Sequence, residues 1–156
     1  MEVIFNREED AYICREQVDN QTIELGMNCT YWTDDEKSSW WNIYITIYNK
    51  KKDMYDNMDK HIITGKNPFK TFAKAREMFY AVESRVLETE LLLQPKTEKI
   101  ILYCTWVDNR RRDAYYRILS KMGYVWGHTP KMKQKCIMKV YKREDLNPEI
   151  RKEDIE

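Results

Sequence analysis

Residues 40–48 read Trp-Trp-Asn-Ile-Tyr-Ile-Thr-Ile-Tyr, with Trp41, Ile43, Ile45 and Ile47 alternating with Asn42, Tyr44, Thr46 and Tyr48. A strict period of two fits a strand with one covered face. It does not fit a helix, whose side chains return to a face every three or four residues. Residues 21–32 repeat the pattern, with Ile23, Leu25, Met27, Cys29 and Tyr31 on one face and Thr22, Glu24, Gly26, Asn28 and Thr30 on the other. Residues 11–17 form a further strand across the turn Asp19-Asn20-Gln21, and residues 33–39 form the next turn. The three strands predict an antiparallel meander, preceded by a short strand around residues 3–5. Eleven Tyr and five Trp suit a sheet-rich core.

A polar stretch, residues 49–60, leads to Thr64-Gly65-Lys66-Asn67-Pro68. Asn caps free helix amides and Pro fits the first helical position, so a helix begins here. Phe72, Ala75, Phe79, Val82 and Val86 then recur at helical spacing as one apolar stripe, and Gln94-Pro95 ends it. Residues 99–107 are apolar on both faces, as a covered central strand requires. Asp108 or Asn109 caps a second helix that turns Ala114, Tyr115, Ile118, Leu119 and Met122 inward, and Gly123 stops it. Residues 124–128 and 136–141 close the domain as a hairpin around Thr129-Pro130-Lys131. The expected fold is a single α+β domain over residues 1–143, a mostly antiparallel twisted sheet with two main helices, followed by a loose acidic tail over 144–156.

The longest apolar runs are too short to span a bilayer, and residues 1–10 carry Glu2, Glu8, Glu9 and Asp10 with no apolar signal region. A soluble, cytoplasmic protein without a membrane partner is expected. Cys14, Cys29, Cys104 and Cys136 all fall in strand segments, with no two at metal-ligand spacing. Small buried thiols in a reducing compartment are the expectation, and no metal site. Net charge is +1, but it is unevenly placed. Residues 108–143 hold eleven basic and two acidic side chains, net +9, whereas residues 1–63 are net −6. A basic block of this kind points to an anionic partner, protein or nucleic acid, or else to a solvated face.

The order of strands, long helix, central strand, shorter helix and closing hairpin resembles the GNAT acyltransferase superfamily. The local likeness is densest from Asn109-Arg110-Arg111-Arg112-Asp113-Ala114 through Ile118-Leu119-Ser120-Lys121-Met122-Gly123-Tyr124. There a helix with a small residue and then an aliphatic ends in Lys-apolar-Gly-aromatic. The chain also resembles short GNAT-like proteins of phages and mobile elements. The resemblance implies that the third and fourth core strands splay, with a pantetheine arm in the gap and its pyrophosphate at the start of the long helix. A helix N-terminus suits that anion, because it offers free amides and partial positive charge. If acyl-CoA is bound, Gly65, Lys66, Asn67 and Lys70 are its binding residues.

Several departures oppose ordinary acetyl transfer. The family's glycine-rich loop keeps one glycine, Gly65, and Pro68 removes an amide. Leu119 stands where the family has a general-acid tyrosine, residues 40–48 contain no carboxylate, and no room precedes residue 11 for the helices that cover an acceptor. Gly65, Lys66, Lys70 and Thr71 also resemble a phosphate-binding loop that lacks its second glycine. Among other constellations, Asp34-Asp35-Glu36 reads as a solvated turn or a carboxylate pair. Glu24 reads as a remote base or an exposed strand residue, and His61 and His128 lack visible partners. Arg110, Arg111 and Arg112 crowd a helix start whose dipole disfavours them, which hints at an anionic partner there together with Arg117. Tyr115, Tyr116 and Trp126 nearby admit single-stranded nucleic acid. The expected function is a non-catalytic or degenerate GNAT-like binding protein without a cofactor. The alternatives are an acetyl-CoA-dependent N-acetyltransferase and a nucleic-acid-binding module.

Overall fold

The computed structural model describes residues 1–19, 21–48 and 68–146. Seven strands and two helices follow in the order β1 (Ile4–Asn6), β2 (Ala11–Val18), β3 (Gln21–Thr33), β4 (Ser38–Tyr48), α1 (Pro68–Leu93), β5 (Lys99–Cys104), α2 (Asn109–Leu119), β6 (Val125–His128) and β7 (Lys135–Lys142). They form one sheet of order β1-β2-β3-β4-β5-β7-β6. All neighbours are antiparallel except β4 and β5, which run parallel. This mixed, mostly antiparallel sheet with two helices is the expected α+β architecture, consistent with a GNAT-like fold.

The period-two pattern works as predicted on the helical face of the sheet. Ile23, Leu25 and Met27 of β3, Trp41, Ile43 and Ile47 of β4, and Ile100 and Leu102 of β5 join Met78, Phe79, Val82 and Val86 of α1 and Leu119 of α2 in one buried cluster. The intervening residues Trp40, Ile101, Tyr103 and Cys136 make a smaller cluster on the opposite face. α2 is capped by Asp108, whose carboxylate accepts from the Arg111 amide at 2.8 Å. A short 3-10 turn, Ser120–Met122, then closes on Gly123 at φ +91°, a left-handed conformation that glycine adopts without penalty.

Five expectations change. The meander carries a bulge between Cys29 and Tyr31, so Tyr31 pairs with Trp40 and leaves the face of Ile23, Leu25 and Met27. Cys29 is exposed, whereas Cys14, Cys104 and Cys136 are buried as expected. The central strand stops at Cys104 rather than residue 107: its pairing with β7 ends at Cys104↔Ile137, and Val107 points into solvent. Glu24 is buried and its carboxylate accepts from Arg15 Nε at 2.5 Å, so it is a paired strand residue and not an exposed one. The start of the acidic tail is structured: a 3-10 turn, Arg143–Asp145, buries Arg143, which donates to the carbonyls of Thr97 at 2.7 Å and Gln94 at 2.8 Å. Residues 147–156 lie outside the described residues. No helix among the described residues is long and apolar enough to cross a membrane.

Phe79 is buried and meets Tyr124 edge-on at 5.7 Å, joining α1 to the segment after α2. Phe79→Ala is expected to lower unfolding free energy by about 3–5 kcal/mol, as other core aromatic truncations do. Urea denaturation measures this, and an unchanged midpoint would contradict the packing described.

Candidate functional site

β4 and β5 pair only from Ser38↔Lys99 to Asn42↔Tyr103. Beyond Asn42, β4 continues to Tyr48 and, among the described residues, pairs with β3 alone, while the chain after Cys104 turns away through Thr105, Trp106 and Val107 into α2. The sheet therefore parts along one seam, between the two strands that the resemblance expects to splay. A cavity of about 300 Å³ lies in that seam. Leu25, Ile43 and Ile45 line it from the sheet, Ala75 and Phe79 from α1, Tyr115, Ile118 and Leu119 from α2, and Cys104 to Val107 from the β5 end.

Tyr44, also in the lining, lies flat over its cross-strand neighbour Gly26. A Cβ on residue 26 would meet the tyrosine ring at 2.3 Å, so glycine is what allows this placement. The Tyr44 hydroxyl donates to Glu9 at 2.9 Å, tying the rim of the seam to the β1–β2 turn.

The polar groups in the lining are held, not poised. Arg111 is buried, and its guanidinium pairs with the Asp108 carboxylate that caps α2. Burial, with a smaller contribution from Cys136, pushes the Cys104 thiol up to about 12, so at neutral pH it is neither thiolate nor nucleophile. Burial first, then the contact with Glu9, holds the Tyr44 hydroxyl above its ordinary range, and burial does the same for Tyr115. An apolar cavity with a few fixed polar groups can seat a slender ligand.

Among the described residues, those singled out in the sequence do not converge on one site. Lys70 stands exposed in the first turn of α1, 3.2 Å from Asp19 at the end of β2, whereas Gly65, Lys66, Asn67 and His61 lie outside the described residues. Of the four arginines, Arg110 and Arg117 are exposed, and Arg112 is half-buried with its Nε 3.0 Å from Asp113. Arg111 is turned inward and does not belong to that surface. Leu119 is buried in the cavity wall. Asp34, Asp35 and Glu36 form an exposed turn, with Asp34 accepting from the Trp32 indole at 2.5 Å, and His128 is exposed on β6.

One polar cluster escaped the sequence reading. Glu83 is buried on α1, where it accepts from the Tyr124 hydroxyl at 3.4 Å and from the Tyr141 hydroxyl. The signal was present: Glu83 follows Phe79 by four residues and therefore lies on the apolar stripe. Lys139 flanks the cluster, donating to the Met122 carbonyl at 2.8 Å with its ammonium 4.8 Å from the Tyr141 ring centroid.

No protein-family model and no curated protein matches the chain. Among solved structures, the chain is similar to the N-terminal domain of ribosomal-protein-alanine acetyltransferase from Clostridium acetobutylicum ATCC 824. Identity is 7%, covering 92% of this chain and 98% of that one, with a TM-score of 0.38.

Burial outweighs the tyrosine hydroxyls and Lys139, so the Glu83 carboxyl titrates above the ordinary carboxylate range. Folding therefore favours its protonated form. That stability is fully present below the unfolded-state value and is lost as pH rises through the raised folded value. Glu83→Gln is expected to flatten the decline in stability from the ordinary glutamate range upward, as read by urea unfolding across pH. An unchanged slope would contradict the assignment.

Proposed function

We propose that this chain is a binding and interaction protein on a GNAT-like fold, of the kind phages and mobile elements encode, with its acyl-transfer apparatus absent or altered. The chemistry of the cavity walls carries this reading. The seam is open and apolar, yet among the described residues its lining includes no histidine and no carboxylate. Its thiol and its two tyrosine hydroxyls are all pushed upward, away from neutrality. General acid–base catalysis at neutral pH works best with a group that titrates nearby. The acceptor side supports the same reading, since a tight turn joins β1 to β2 where the resemblance calls for covering helices.

The proposed partner is anionic, a protein or a nucleic acid, met by Arg110, Arg112 and Arg117 on the outer side of α2. The four cysteines are unbridged, which suits a cytoplasmic setting. A second reading, acetyl-CoA-dependent N-acetyltransferase, is favoured by the position of the cavity in the seam where the resemblance seats a pantetheine arm. In that case the cavity would take the arm, and Lys70, with Gly65, Lys66 and Asn67, would face the pyrophosphate.

Coenzyme A separates the two readings. A ligand at one hundred times its Kd stabilises a protein by about 2.7 kcal/mol, which raises Tm by about 5–10 °C at this chain length. Millimolar coenzyme A or acetyl-CoA is expected to leave Tm unchanged. A rise of that size, abolished by Ile45→Phe in the cavity lining, would put the acetyltransferase first.

A further inference from the structure

We infer that the outer side of α2 and the β6–β7 hairpin form a stacking surface for single-stranded nucleic acid. This deepens the anionic-partner reading above and rests on it. Tyr116 and Trp126 differ in role from Tyr115, which lines the cavity. Their rings stack at 4.6 Å with an interplanar angle of 13°. Both nevertheless remain open to solvent, at 36% and 41% exposure. Trp106 braces the pair, meeting Trp126 edge-on at 5.7 Å, and the Lys135 ammonium lies 4.9 Å from the Trp126 centroid. The result is a flat aromatic pair, held by a third ring, that contributes little to the main core.

Further cations lie on the same helix and hairpin. Arg112 precedes Tyr116 by one helical turn and Arg117 follows it directly, while Lys133 and Lys135 lie on the hairpin. Arg117, Lys133 and Lys135 are exposed, and among the described residues none is paired with a carboxylate. The flat rings distinguish the candidate partners. Every nucleotide base has a π-face that extends a ring stack, and every linkage carries a phosphate for a neighbouring cation. An acidic peptide supplies the charge without a ring at each residue, and a duplex keeps its bases stacked on one another.

Fluorescence anisotropy on the full chain tests this with labelled oligothymidylate and oligouridylate, each about 20 nucleotides long and able to span a site of several nucleotides. A hairpin duplex and polyglutamate serve as competitors. The expected result is binding to a single strand in preference to both competitors, with a log–log salt slope of about −2 to −3 for three or four phosphates contacted. The two labelled strands show whether DNA or RNA is preferred. Trp126→Ala should weaken binding about tenfold, the loss of one stacked base. Trp126→Phe, which keeps a ring, should restore most of it and controls for misfolding. Arg117→Glu with Lys135→Glu should make the salt slope shallower. If polyglutamate or duplex competes equally and Trp126→Ala changes nothing, this inference is overturned while the anionic-partner reading stands. Absence of binding to every polyanion at low salt overturns both.

Discussion

Two parallel strands cannot be joined by a tight turn, so neighbouring β4 and β5 require a crossover, and α1 lies within it. That connection lays α1 across the sheet, where Phe79, Val82 and Val86 cover Leu25, Ile43 and Leu102. It also leaves the two strands joined at one end only. Five residue pairs hold Ser38–Asn42 against Lys99–Tyr103, and the strands then part because the chain after Cys104 is drawn off toward the Asp108 cap of α2. The cavity is a consequence of this parting. Its apolar walls are the same side chains that build the core, which is why a gap in the sheet coexists with a buried core on either side of it.

The same geometry separates two kinds of surface. Residues of α2 that face the seam, Arg111, Tyr115, Ile118 and Leu119, are committed to packing and capping. Those on its outer side, Arg110, Arg112, Tyr116 and Arg117, remain available to a partner. A helix whose inner side closes a ligand-sized cavity and whose outer side carries charge and an aromatic stack can serve a binding protein without any catalytic group. Fold alone does not decide between that use and acyl transfer, and the proposal of binding rests on the chemistry of the seam side chains.

Much of the architecture was legible in the alternation of β3 and β4, in the stripe of α1 and in the Asp108 and Gly123 signals, because these are local patterns with few competing solutions. The misreadings share a tertiary origin. Thr105, Trp106 and Val107 look like a continued strand, but pairing with β7 ends at Cys104↔Ile137 although β7 itself runs on to Lys135 beside β6, and nothing local announces that the chain leaves the ladder there. The bulge that turns Tyr31 over depends on pairing with β4, and Glu24 is buried because Arg15 across the ladder takes its charge. Arg111 was readable in principle. It precedes Tyr115 by four residues and Ile118 by seven, which places it on the inward stripe despite its charged neighbours. The candidate cavity was visible only as a consequence of resemblance, since its walls come from five separate elements.

Amide hydrogen exchange along β4, resolved residue by residue, tests the parted seam most directly. Successive amides of a strand point to opposite neighbours, so beyond Asn42 those directed at β3 should stay protected. The alternate amides, directed toward β5, should exchange rapidly, whereas both sets should be slow from Ser38 to Asn42. Uniform protection from Ser38 through Ile47 would mean that β5 or another strand closes the sheet, and the cavity on which this account depends would not exist.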